Sequence, residues 1–203
     1  MKRRTLAGCL SLIAWPVWPL LGAAPVADIQ AILAKPKVLC GRFDQTKQLA
    51  GLKNPLRSSG RFCVVADKGV LWRSLQPFAN TLRLTRDEIV QWQGERVTLR
   101  LNAQQEPTLR LINSILFAVL AGDLGQLEKH FEVDGVVRDG VWSVNLKARD
   151  AGVAKVIAAI ALDGGAYVKN IAIDEANGDR TRIVFSAIQT GAQAMTGDEA
   201  ALF

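Results

Sequence analysis

Histidine occurs once in the 203 residues, at His130, and cysteine three times, at Cys9, Cys40 and Cys63. One imidazole removes most acid/base and metal constellations, and three cysteines are too few for a disulfide-dense miniature scaffold. Aromatic residues make up only 6% of the chain, too sparse for a surface on which bases stack. There is no Gly-x-Ser-x-Gly elbow, so the strained turn that exposes a hydrolase serine is missing. Glycine-rich phosphate loops are missing too, since Gly164-Gly165 lacks the lysine and the partner glycine. The paired carboxylates Asp87-Glu88 and Asp174-Glu175 fall at turns or strand ends, where solvation is the simpler role. Catalysis is therefore disfavoured, and no cofactor and no metal are expected.

What is present is a chain 49% hydrophobic and 22% charged, the composition of one sizeable globular domain. Its formal charge of +6 is partly borrowed from the N-terminus, where Lys2, Arg3 and Arg4 precede an apolar run from Leu6 to about Leu21 and the small residues Gly22, Ala23 and Ala24. That order is the layout of a secretory signal peptide. The run is too short, and too interrupted by Pro16 and Pro19, for a membrane-spanning helix. Residues 1–27 are read as the leader, with cleavage between about 23 and 27. Leu6-Ala7-Gly8-Cys9 has the letters of a lipoprotein processing box, but it precedes the apolar run instead of ending it. Losing the leader removes three positive charges, and the mild excess that remains makes nucleic acid an unfavoured partner. Two cysteines then remain, Cys40 and Cys63. They permit one disulfide or two buried thiols, and the bridge is preferred because their segments pair as a hairpin.

Along the mature chain, Ile29, Ile32 and Leu33 stand at helical spacing behind Asp28, which predicts a short helix from Val26 that Pro36 ends or distorts. Strand patterns follow at 43–49, 60–65, 70–75, 81–86, 89–93 and 97–101. In Thr81-Leu82-Arg83-Leu84-Thr85-Arg86 the strict alternation marks one dry and one wet face. Arg83, Arg86, Arg96 and Arg100 are read as a solvated face. From Pro107 to Gly122 apolar residues surround a helix almost completely, so it must be covered by protein or by a ligand. A polar stretch with Glu128, Lys129 and His130 comes next, then strands at 142–147, 156–162, 167–175 and 180–188. Asn177-Gly178 is a strong hairpin signal.

Nine or ten short strands with two helical segments predict an α+β fold, mainly antiparallel β: a strongly curved, incomplete β-barrel lidded by helices. One domain is expected over 28–190, followed by a loosely ordered tail over 191–203. Strand parity selects an inward set of Phe43, Phe62, Val64, Val70, Trp72, Leu82, Leu84, Leu99, Leu101, Trp142, Val144, Leu146, Ile171, Ile173, Ile183 and Phe185. These are the candidate lipid-binding residues. Ile112, Ile115, Leu116 and Val119 are the candidate lid.

At Gly41-Arg42-Phe43-Asp44-Gln45-Thr46-Lys47 the sequence begins to resemble the LolA family of periplasmic outer-membrane lipoprotein carriers. The family's Phe-x-Gln is matched by Phe43 and Gln45, its Ser-x-Gly-x-Phe by Ser58-Ser59-Gly60-Arg61-Phe62, and its tryptophan followed by proline by Trp72 and Pro77. The likeness runs from Phe43 to about Arg86, and the segments Lys47 to Leu52 and Asn54-Pro55-Leu56 look like a divergent branch. The resemblance implies a non-enzymatic carrier in the periplasm. It would accept a lipoprotein or other acylated lipid cargo from an inner-membrane exporter and pass it to an outer-membrane acceptor. The expected working form is a monomer. Where the family carries an arginine that helps latch the lid, this sequence has Ala66-Asp67-Lys68, with Lys68 the only cation. Two other readings stand beside the carrier: an envelope enzyme acting on lipid or glycan through His130 and a nearby carboxylate, and a non-transporting interaction module.

Overall fold

In the computed structural model, residues 26–102, 117–118 and 123–203 are described. Residues 1–25 of the leader and the lid candidates Ile112, Ile115, Leu116 and Val119 lie outside the described residues, whereas Val26 and Ala27, the leader's last two, begin a helix. The chain opens with helix α1 (Val26–Ile32), then runs through β1 (Val38–Gln48), β2 (Leu56–Val65), β3 (Gly69–Gln76), β4 (Asn80–Leu84), β5 (Glu88–Gln93) and β6 (Arg96–Asn102). A one-turn helix α2 (Leu124–Leu127) leads to β7 (Phe131–Arg138) and β8 (Val141–Ala148). Another single turn, α3 (Ala151–Ala154), precedes β9 (Ile157–Gly164), β10 (Val168–Glu175) and β11 (Arg180–Thr190). A 3-10 turn (Ala192–Ala194) and a last helical turn, α4 (Gly197–Ala200), complete the described chain.

All eleven strands belong to one antiparallel sheet in the order β6-β5-β4-β3-β2-β1-β11-β10-β9-β8-β7. Two meanders, β1 to β6 and β7 to β11, therefore meet where β1 pairs with β11, and β6 and β7 are left as the two edges of an unclosed curved sheet. Tight turns join most neighbours. Asp67 and Gly69 adopt positive φ between β2 and β3, and Gly178 does so between β10 and β11, where the Asn177 side chain accepts a hydrogen bond from the Asp179 backbone N–H at 3.0 Å.

Alternation along the strands sends one apolar set to the inner face, where α1, α2 and α3 supply Ile29, Leu124, Leu127 and Val153, and the residue after α1 supplies Leu33, to the same core. The one-turn helices α2 and α3 are started by aspartates, Asp123 accepting from the Gln126 N–H and Asp150 from those of Gly152 and Val153. A second, smaller core lies on the outer face, around Val38, Cys40, Cys63, Val65, Leu71 and Ala194.

The structure departs from expectation in three places. Strand β7 was not anticipated: Phe131, Val133, Gly135 and Val137 alternate with Glu132, Asp134, Val136 and Arg138, but Gly135 interrupts the apolar series, Val136 adds an apolar residue to the outward set, and pairing with β8 makes the segment a strand. Helix α1 stops at Ile32, short of Pro36, which permits Leu39 to join β1. The tail 191–203 is not loose: it folds onto the outer core, with Ala194 buried and Met195, Leu202 and Phe203 packed beside it. Composition misleads there because its few apolar residues have a ready-made hydrophobic patch to cover.

Candidate functional site

The inner face of the β1 to β3 region is aromatic. Phe43 stacks on Trp72 with ring centroids 3.8 Å apart, Phe62 and Phe185 lie 4.6 Å apart, and Trp72 meets Phe185 edge-on at 6.1 Å. Such pairs contribute about 0.5–1.5 kcal/mol each beyond burial. Along β1 this dry surface gives way to a polar closure. The Lys47 ammonium lies 2.7 Å from Glu175 and 3.6 Å from Asp179, the Thr181 hydroxyl donates to Glu175 at 3.3 Å, and Asp179 accepts the Ala50 backbone N–H at 2.8 Å. The hydrogen bond to Glu175 raises the Lys47 pKa above its ordinary value against the opposing effect of burial. The Ala50 N–H, helped by Asn177 and Lys47, lowers that of Asp179. At that end the charges satisfy one another.

The opposite end opens. A cavity of about 390 Å³ is lined by Leu33, Pro36, Leu39, Val64, Phe117 and Val168, with Lys35, Asp67, Arg86 and Asp123 among its other lining residues. Arg86 reaches to within 3.8 Å of Asp67, both well exposed. A wider hollow of about 590 Å³, towards the Lys47 end of β1, is lined by Asp44, Gln45, Thr46, Arg57, Ser58, Ser59, Gln76 and Pro77. Its lining is the more polar of the two, so the smaller, mainly apolar mouth is the better match to an oily ligand.

The structure brings the candidate binding residues together. Phe43, Phe62, Val64, Val70, Leu84, Trp142, Val144, Leu146, Ile171 and Phe185 are buried in the inner core, and Trp72, Leu82, Leu101, Ile173 and Ile183 are half-buried against it. Leu99 stands apart, 38% exposed on edge strand β6. Of the whole set only Val64 lines the mouth; the others pack mainly against one another. Leu33, Leu39, Phe117 and Val168 line the cavity as well, yet none is among the candidate binding residues: they lie on four separate segments, and nothing in the sequence joins Leu33 of the first helical pattern or Phe117 of the apolar stretch to Leu39 and Val168. Phe131, Ile160 and Leu162 were likewise missed although they belong to the same core.

Cys40 and Cys63 face each other across β1 and β2 and are joined in a disulfide. They and Glu199 form the grouping of metal-type donors found among the described residues, but both sulfurs are committed to the bridge. His130 is held by its main chain, its N–H donating to the Leu127 carbonyl and its own carbonyl accepting from Arg149. Among the described residues no hydrogen bond joins its imidazole to a carboxylate. No described helix is long and apolar enough to cross a membrane.

Several solved structures are similar in part. A LolA superfamily protein from Nitrosomonas europaea matches with 8% identity over 85% of this chain and 96% of its own, at a TM-score of 0.43. A DUF1329 family protein from Desulfovibrio piger matches with 8% identity over 82% and 90%, at 0.47. The MucA/MucB complex structure of Pseudomonas aeruginosa matches with 17% identity over 87% of this chain and 62% of that one, at 0.39. No curated protein sequence matches the chain. The family model described as outer membrane lipoprotein carrier protein LolA-like matches residues 22–202. By a match that takes in nearly all of the chain, the protein belongs to that LolA-like family.

Proposed function

We propose that this protein is a periplasmic carrier that shelters an acyl chain of a lipoprotein or related lipid and moves it from the inner towards the outer membrane. The observation that carries the reading is the apolar mouth: an inner face dry through its middle, bounded by the ion pairs of Lys47 with Glu175 and Asp179 towards one end and open between Leu39, Val64, Phe117 and Val168 at the other. Family membership supports a lipid-binding, carrier-type protein. Each methylene taken out of water contributes about 0.8 kcal/mol, so about ten of them supply roughly 8 kcal/mol, the scale of micromolar binding before the costs of association. Leu82, Leu101, Ile173 and Ile183, half-buried around the core, are the side chains that yield most readily to a longer chain. An inner-membrane exporter would load the cargo and an outer-membrane acceptor would take it.

No chemistry on the cargo is needed for this role. Replacing His130 with Ala is expected to leave function in the cell unchanged, and loss of function in a folded variant would restore the enzyme reading. The direct test is native mass spectrometry of protein purified from its own envelope, with displacement of a fluorescent fatty acid as a second readout. Bound lipid and saturable displacement are expected. Repeated recovery of lipid-free protein that ignores the probe would overturn the proposal.

A further inference from the structure

The segment after β11 crosses the outer face of the sheet and lies over the Cys40–Cys63 bridge. Its first residue donates from the Gly191 N–H to the Val38 carbonyl at 3.0 Å. Thr196 and Glu199 then form a capping box, which turns the Glu199 side chain towards the sheet. There Glu199, only 1% exposed, takes the Arg61 Nε–H at 2.7 Å and lies 3.9 Å from Arg73. Arg61 also donates to the Ala194 carbonyl, and Arg83 donates to that of Leu202 at 2.8 Å. Arginines on β2, β3 and β4 thus pin the segment, while Ala194, Met195, Leu202 and Phe203 cover Val38, Val65, Leu71 and the two cysteines. The sulfur residues are 0% and 1% exposed.

We propose that residues 191–203 form a gate on a redox-sensitive bridge: Cys40–Cys63 exchanges with an external dithiol only when this strap lifts from the outer face. Two observations on the docked state support it. An attacking thiolate must reach a sulfur in line with the S–S bond, and the strap occupies the approach from outside the sheet. The Glu199 carboxylate also lies 3.7 Å from the Cys63 sulfur, so the thiolate that would leave from Cys63 develops its negative charge beside another. With the strap raised, one thiolate of the dithiol attacks one sulfur, the S–S bond breaks, and the other cysteine departs with the electron pair and is protonated. The second thiol of the reductant then resolves the mixed disulfide, leaving two protein thiols and the oxidised dithiol. The bridge ties β1 to β2 immediately beside Leu39 and Val64 at the mouth, so its reduction releases the covalent clamp on that lip.

The test follows reduction of the full-length protein by dithiothreitol in native buffer, with alkylation and mass measurement at intervals. The comparison is with Glu199→Ala, which loosens the strap, and Val153→Ala, which weakens the inner core where α3 packs on β8 and β9. Glu199→Ala is expected to be reduced at least about tenfold faster than the parent, tenfold being about 1.4 kcal/mol in opening free energy. Val153→Ala should stay near the parental rate, and all three should be reduced equally fast in urea. Equal native rates for the parent and Glu199→Ala would overturn the gate. So would acceleration by Val153→Ala to the same extent, which would mean that exposure proceeds through global unfolding.

Discussion

Phe43 on β1 and Trp72 on β3 stack at 3.8 Å although β2 runs between their strands. They meet over Gly60, the β2 residue paired with Phe43. A Cβ there would stand 1.9 Å from the Arg73 carbonyl oxygen and 2.9 Å from the Phe43 ring. The glycine of the Ser58-to-Phe62 motif is required because the Phe43 ring occupies the space above it and the Arg73 carbonyl leaves no room beside it. Gly60→Ala is therefore expected to destabilise the fold by about 3 kcal/mol through forced separation of β2 from β3. Urea unfolding followed by tryptophan fluorescence checks this, and an unchanged midpoint would contradict the close approach.

Glu199 sets an acid limit. Burial alone would push its carboxyl upward, but the Arg61 hydrogen bond, the Thr196 N–H and the charges of Arg61 and Arg73 outweigh burial and hold it below its ordinary value of 4.5. A depressed folded pKa means a contribution present in full above the ordinary value and lost as pH falls through the folded one. Stability should decline from about pH 4.5 downward more steeply in the parent than in Glu199→Gln, as read from urea midpoints across pH 3–7. Parallel profiles would remove the carboxylate from that role.

The disulfide joins positions 23 residues apart, and a closed loop of that size is worth roughly 3 kcal/mol in unfolded-state entropy. Cys40→Ser with Cys63→Ser should lower stability by about that amount, measured against the parent under oxidising conditions. A difference below about 1 kcal/mol would show that strand pairing alone holds the two segments together in the unfolded ensemble.

At the mouth, Leu39→Trp places a bulky ring in the cavity from a half-buried strand position. Fatty-acid affinity is expected to fall about tenfold, or about 1.4 kcal/mol, without loss of the folded state. Leu99→Ser on the exposed edge strand should change neither binding nor stability by more than about 0.5 kcal/mol. Undiminished affinity in the Leu39 variant would move the lipid site away from this cavity.

Strand positions, the inner-face alternation of residues such as Leu82, Leu84, Val144 and Leu146, the Asn177-Gly178 turn and the family likeness from Phe43 to Arg86 were all legible in the sequence. Each depends on neighbours a few residues apart, where side-chain period and turn chemistry act directly. Strand β7 lay below that threshold because Gly135 breaks its apolar series and its partner supplies the rest. What only the tertiary structure decided was which apolar surface stays open and which is covered. Leu33, Leu39, Val64, Phe117 and Val168 become one mouth, and Glu199 becomes the anchor of a strap, by long-range packing that brings together segments up to 138 residues apart. Periodicity assigns a residue to a face; the partner that face meets depends on the curvature and closure of the whole sheet.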